Sequence, residues 1–107
     1  MMKYITHAAA IGLIAFFPSL TSLAQTGADT YKAKCQMCHG VTGLGDTPAG
    51  KTMKARPFNS PDVLKESDAD LIAIIAKGKN KMPAFAGKLT DAQTADVLVY
   101  IHTLQKK

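Results

Sequence analysis

The sequence predicts a small all-α domain, and three observations carry that prediction. Capping signals open three segments of helical composition. No stretch of useful length alternates apolar and polar residues as a strand would. The apolar residues of the last segment recur at helical spacing. The first element is "GADTYKAKCQMC", Gly27 to Cys38, which is free of proline and rich in helix formers. In "SPDVLKE", Ser60 is an N-cap and Pro61 occupies the first helical position, where a missing N–H is harmless. In "SDADLIAIIAKG", Ser67 and Asp70 stand at capping-box spacing, Leu71, Ile74 and Ile75 form one apolar stripe, and Gly78 ends the helix. "TDAQTADVLVYIHTL" opens with Thr90 and Gln93 as a second capping box, and Val97, Tyr100, Ile101 and Leu104 fall at i, i+3, i+4 and i+7. Between the first two helices, "GVTGLGDTPAGKTMKARPFN" reads as a long loop punctuated by glycine and proline. Loops of that length in compact domains are usually functional, and wrapping a ligand would explain this one.

The N-terminus belongs to an address rather than to the fold. Lys3 precedes the apolar run "ITHAAAIGLIAFF", and "PSLTSLAQ" closes it with small residues, Ser22 and Ala24, at the positions before a cut. Residues 1–24 are therefore expected to be a cleaved signal peptide and residues 25–107 the mature domain. Ile5–Leu23 is nearly long enough to span a bilayer as an uncleaved anchor. Pro18 and the small residues that follow favour cleavage. The mature chain would keep 83 residues, and the formal charge falls from +5 to +4 with the loss of Lys3. So short a domain buries little surface and needs a staple. The positive balance favours acidic partner surfaces, and the absence of an Arg-rich arm or an aromatic-interleaved basic run excludes nucleic acid.

The chemistry centres on "KCQMCHG", residues 34–40, which holds both cysteines of the chain. A redox-active C-x-x-C belongs with a βαβ pattern, which is missing, and a structural disulfide between Cys35 and Cys38 would close too small a loop to matter. Structural zinc needs four ligands, and only Cys35, Cys38, His39 and His102 are on offer in the mature chain. Covalent haem attachment uses every residue of the motif. Cys35 and Cys38 at i and i+3, with His39 at i+4, project from one side of a helix end. Both thiols can then form thioethers on one edge of a haem, and His39 becomes the proximal iron ligand.

"CQMCH", the proline nine residues later in "TPAGK", the "KMPAF" segment and a C-terminal helix with Tyr100 together resemble a small bacterial class I cytochrome c. The resemblance covers Gly27–Leu104. It implies an all-α fold of three to four helices wrapped around one covalently attached haem c with its iron. The loop "GKNKMPAFAG" fixes Met82 with Pro83, where the family places its distal methionine, so Met82 is expected to be the sixth ligand and Met53 is the rival. A neutral thioether favours ferrous iron and raises the potential. The resemblance also implies that the Pro48 carbonyl takes the second ring proton of His39. Gly27, Tyr31 and Tyr100 match the family's helix crossing. Arg56 reads either as a partner of a haem propionate or as a solvated surface cation. Asn80 reads either as a hydrogen-bond donor to the haem site or as turn chemistry. Family members often place a tryptophan near the propionates, and this chain has none.

A soluble, monomeric, periplasmic electron carrier rather than an enzyme is the function these features imply. A dedicated electron-transfer subunit of a periplasmic dehydrogenase or membrane oxidase is the alternative, and a small haem peroxidase stands behind it. Lys77, Lys79, Lys81 and Lys88 surround "MPAF", either as solvated surface or as a collar that docks acidic redox donors and acceptors.

Overall fold

A computed structural model describes Gly12 and residues 20–105, with side chains from Thr26 onward. Of the expected leader, residues 1–11 and 13–19 lie outside the described residues, and residues 20–24 open the first helix. Six helices follow in order: α1 (Leu20–Lys34), α2 (Gln36–His39), α3 (Pro48–Met53), α4 (Pro61–Leu64), α5 (Asp68–Lys77) and α6 (Asp91–Gln105). Isolated bridges at Lys79–Met82 and Ala86–Leu89 are the only sheet-like pairings among the described residues. None of the described helices is long and apolar enough to cross a membrane.

The helix count exceeds the expected three to four for two local reasons. The first expected helix, Gly27–Cys38, breaks at Cys35, whose φ of −119° turns the chain out of helical register. The break is a kink and not a loop, since the Cys35 N–H still reaches the Tyr31 carbonyl at 2.8 Å. Helix α3 lies inside the expected long loop. Thr47 caps it, accepting the Gly50 N–H at 2.9 Å, and Pro48 occupies the first position. Ser60 stands at the N-cap position of α4, but its hydroxyl makes no capping bond; the expected caps of α5 and α6 are made. Ser67 accepts the Asp70 N–H at 3.2 Å, and Thr90 and Gln93 exchange both bonds of a capping box.

Helices α1 and α6 cross at closest approach. A Cβ on Gly27 would run into the Asp96 carbonyl and lie 3.1 Å from the Tyr100 Cβ, so only a hydrogen fits there. Tyr31, one turn on, is 1% exposed and packs against Tyr100 with ring centroids 5.1 Å apart. Phe58, Ile75, Leu89, Val97 and Ile101 complete the core around Tyr31. Each such large side chain, fully buried, contributes about 1.5–3 kcal/mol. The expected α6 stripe divides accordingly: Tyr100 meets α1, Leu104 packs against the core, and Val97 and Ile101, joined by Leu98, face a cleft. The α5 stripe of Leu71, Ile74 and Ile75 lines the same cleft.

Candidate functional site

The cleft, about 220 Å³, gathers residues from all six helices and from the loops at 54–58 and 79–85. Cys35, Cys38 and His39 form one wall, Met82, Pro83 and Phe85 another, and the apolar faces of α5 and α6 the floor. The four residues singled out from sequence are therefore brought together. The turn that places the first three is helical, with the Cys38 and His39 N–H groups donating to the Cys35 carbonyl at 3.2 and 3.0 Å. Two contacts anchor its far end. Tyr31 Oη donates to the Gly40 carbonyl at 2.6 Å, and the Thr47 hydroxyl is shared between the Met37 and Cys38 carbonyls at 2.7 and 3.2 Å. Burial holds the Tyr31 phenol above its ordinary range, with neighbouring Cys35 adding to the shift, so this donor stays protonated.

Cys35 and Cys38 are free thiols. Burial, and then the neighbouring Cys38, pushes the Cys35 thiol up to about 11, the opposite of the depressed value that marks a thiol-exchange cysteine. Burial lowers the pKa of His39, which keeps the imidazole neutral and able to offer a lone pair. A zinc site does not form. His102 is taken up by Gln105 at 2.7 Å and Asp68 at 2.9 Å, and no described group of three or more His, Cys, Asp or Glu side chains could hold a metal ion. Two thiols, a neutral imidazole and a thioether lining one largely apolar cleft fit the chemistry of haem c, which needs two sulfur attachments and two axial donors.

Met82 sits on a tight hairpin. Lys79 and Met82 exchange backbone hydrogen bonds of 3.2 and 2.9 Å across Asn80, which adopts a left-handed φ of 54°. Asn80 is thus turn chemistry that also lines the cleft. Lys81 ties the hairpin to α3 through the Thr52 carbonyl at 3.4 Å. Met82 packs against the core cluster, whereas Met53, also in the lining, is 38% exposed.

The expected bond from His39 to the Pro48 carbonyl is not made. Pro48 opens α3, and its carbonyl accepts the Thr52 hydroxyl at 3.1 Å within that helix. His39 Nδ1 is buried without a hydrogen-bond partner. What meets the imidazole instead is Phe58, stacked at a centroid distance of 4.7 Å and an interplanar angle of 26°. Gly43, at φ 77°, makes room for this ring, which a Cβ there would strike. The sequence reading missed Phe58. Its one signal was a large aromatic residue in an otherwise small and polar loop.

The cleft lining carries Lys34, Lys54, Arg56, Lys79 and Lys81 and no acid. Lys77 and Lys88, expected in the collar, are exposed and do not themselves line the cleft, though Lys88 lies 5.8 Å over the ring of Phe85, which does. Arg56 lines the cleft while pairing with Glu66 at 3.6 Å, a partly exposed contact of small energetic weight.

Known proteins match this arrangement over most of the chain. The family described as "Cytochrome C oxidase, cbb3-type, subunit III" matches residues 22–101. Cytochrome c6 of Thermostichus vulcanus is 40% identical over 93 residues, spanning 82% of this chain and 80% of its own length. Cytochrome c6 of Synechococcus elongatus is 40% identical over 75 residues, 70% of this chain and 83% of its own. The cbb3-type cytochrome c oxidase subunit CcoP of Azospirillum brasilense is 32% identical over 83 residues, 76% of this chain but 28% of its own. A helical fold, a cleft that collects both thiols of C-x-x-C-H, and relatives matched over 70–82% of the chain lead to one conclusion: the chain belongs to the small class I c-type cytochromes.

Proposed function

We propose that this protein carries single electrons between redox proteins outside the cytoplasm, with haem c joined covalently to Cys35 and Cys38 and its iron held by His39 and Met82. The observation that carries the reading is the shared cleft: two free thiols, a neutral buried imidazole and a half-buried thioether from a separate loop all line it. When bound, haem c supplies one-electron chemistry at its iron, and a thioether ligand favours the reduced state. The chain supplies everything around that exchange. Tyr31 and Thr47 fix the turn that presents Cys35, Cys38 and His39. The Lys79–Met82 hairpin and its Lys81 tie hold Met82 in place, so neither ligand needs to move with each electron. Ile74, Ile75, Val97, Leu98 and Ile101 keep water from the interior of the cleft. Lys34, Lys54, Lys79 and Lys81 give its mouth a positive field that suits acidic donor and acceptor surfaces. A peroxidase would need an open sixth position, which Met82 is placed to fill.

Export follows from the sequence of residues 1–24, with cleavage after Ala24 giving a periplasmic, monomeric mature chain without a membrane span. Helix α1 runs through that point, and its core contributions, Gly27 and Tyr31, lie beyond it. A second reading, an electron-transfer module of an oxidase assembly, draws support from the family match and from CcoP. The test of the main reading is covalency. Matured protein run on a denaturing gel should keep haem-dependent peroxidase colour at its band, and Cys35→Ala or Cys38→Ala should give single-thioether or unmatured product. Haem lost to acid–organic extraction would sink the proposal.

A further inference from the structure

The segment that carries Met82 is pinned at both ends to the C-terminal end of α5. At its start, the Gly78 N–H donates to the Ile74 carbonyl at 2.8 Å and closes the helix. At its finish, the Phe85 and Ala86 N–H groups donate to the Ile75 and Ala76 carbonyls, both at 3.0 Å. Carbonyls of a last helical turn have no partner inside the helix, so the returning chain satisfies them. The residues between must double back over the helix end, and they do so against Gly78. A Cβ on Gly78 would stand 2.6 Å from the Met82 carbonyl oxygen and 3.0 Å from both the Ala84 nitrogen and the Pro83 carbonyl carbon. All three are backbone atoms, so no side chain can rotate out of the way. Gly78 also holds φ 76° and ψ 170°, a conformation open essentially to glycine alone.

We propose that Gly78 is a positioning residue for the distal ligand: its missing side chain lets the Met82–Ala84 backbone sit on the end of α5, and that seat sets how far Met82 reaches into the cleft. This rests on Met82 being the sixth iron ligand, as proposed above. The seat is stiff at its pinned ends and yields between them. Phe85 packs against the core cluster, whereas Asn80, Lys81, Pro83 and Ala84 are exposed. Lys81 fastens this arc to α3 by a long, exposed bond of 3.4 Å to the Thr52 carbonyl. A side chain at Gly78 would therefore push the arc away from α5, and the Met82 carbonyl would retreat by several tenths of an ångström. Ligating groups have to be held within about 0.5 Å of their working geometry, and a shift of the ligand residue's own backbone reaches that limit.

Gly87 supplies the control. Its φ is 82°, but nothing lies within 4 Å of the position its Cβ would take. Alanine there brings the strain of a positive φ without touching the Met82 arc. In matured protein, Gly78→Ala should lose or sharply weaken the sulfur-to-iron band of the ferric form. Exogenous imidazole, which competes for the sixth position, should bind it roughly 10- to 100-fold more tightly than wild type, in line with the strain of such a backbone outlier. Gly87→Ala should lower the melting temperature and keep the wild-type band and imidazole affinity. Gly78→Asn tolerates positive φ better but carries the same Cβ, so it should behave as Gly78→Ala and takes its place if the alanine variant does not fold. A lowered melting temperature with a wild-type band and imidazole affinity would make Gly78 a fold residue only and overturn the proposal. Failure of both Gly78 variants to mature, or an equal effect from Gly87→Ala, would overturn it too. Met82→Ala separates the two readings. A band that survives Met82→Ala removes the ligand assignment itself, whereas a band lost there but kept in Gly78→Ala removes the positioning role alone.

Discussion

Gly27→Ala is a substitution whose sign separates helix propensity from tertiary packing. Gly27 lies inside α1, where alanine in place of glycine ordinarily stabilises by about 1 kcal/mol. Here the added Cβ would collide with the Asp96 backbone carbonyl and crowd the Tyr100 Cβ at 3.1 Å. A carbonyl inside α6 cannot swing aside as a side-chain tip can, so α1 must back away from α6. Tyr31 and Val97, 1% and 0% exposed, then lose part of their packing. Overpacking of a tight core costs about 1–3 kcal/mol, and a backbone obstacle belongs at the upper end. Set against the propensity gain, the net loss is about 1–2 kcal/mol, which lowers the melting temperature of a domain this small by roughly 5–15 °C. Urea unfolding of matured protein, followed by far-ultraviolet circular dichroism and by the haem absorption band, measures it. A midpoint equal to or above wild type would refute the close crossing of α1 and α6.

Three further outcomes follow from the site. Met82→Ala should abolish the weak long-wavelength sulfur-to-iron band of the ferric protein and let the ferrous form bind carbon monoxide readily, while Met53→Ala should leave both as in wild type; the reverse result would move the distal ligand to Met53. Thr47→Val should cost about 1–2 kcal/mol, since it removes the α3 cap together with the tie to the Met37 and Cys38 carbonyls; a change within a few tenths of that in a neutral surface variant would mean the tie is idle. Electron-transfer rates with an acidic partner should fall as salt rises, because screening sets in at ~10 Å at 0.1 M. Reversing Lys79 and Lys81, which line the cleft, should flatten that dependence more than reversing Lys77 and Lys88, which changes net charge equally without altering a lining residue. Equal effects would mean that only net charge matters.

What the sequence disclosed depended on how local the cause was. Ser67, Thr90 and Gln93 declared their helices because a cap is a contact over three residues. The C-x-x-C-H turn was legible for the same reason, its geometry being set within five residues. Thr47 and Pro48 repeat the pattern of Ser60 and Pro61 and could have been read as a helix start, but the surrounding glycines made the segment look like loop. The contacts of Phe58 with His39 and of Gln105 with the Phe58 carbonyl were invisible because the partners lie 19 and 47 residues apart. The Pro48 carbonyl illustrates the opposite failure: a role implied by resemblance gave way to a bond inside α3, with Thr52. Lys77 and Lys88 show why proximity in sequence does not make a surface. They flank the Met82 hairpin along the chain but are not among the residues that line the cleft, which Lys34 and Lys54 reach from elsewhere.

The distribution of charge around that cleft has a physical cost that points to its use. Five cations line a largely apolar hollow without an acid among the lining residues, and like charges near a low-dielectric surface repel. Two of them are partly compensated. Arg56 pairs with Glu66, and Lys81 donates to the Thr52 carbonyl near the C-terminal end of α3, where a helix favours a cation. Lys34, Lys54 and Lys79 form no ion pair among the described residues. Self-repulsion of this kind is relieved by an anion, and c-type haem brings carboxylates of its own while a redox partner brings an acidic surface. The two anions act at different depths. Carboxylates of a haem held covalently at Cys35 and Cys38 would stay in the cleft at any salt, and Arg56, on the loop before Phe58, is among the lining cations that would face them. A partner at the mouth draws on Lys79 and Lys81, whose field salt screens. Salt-sensitive association together with a salt-insensitive haem spectrum is therefore the signature expected of one basic cleft that serves both.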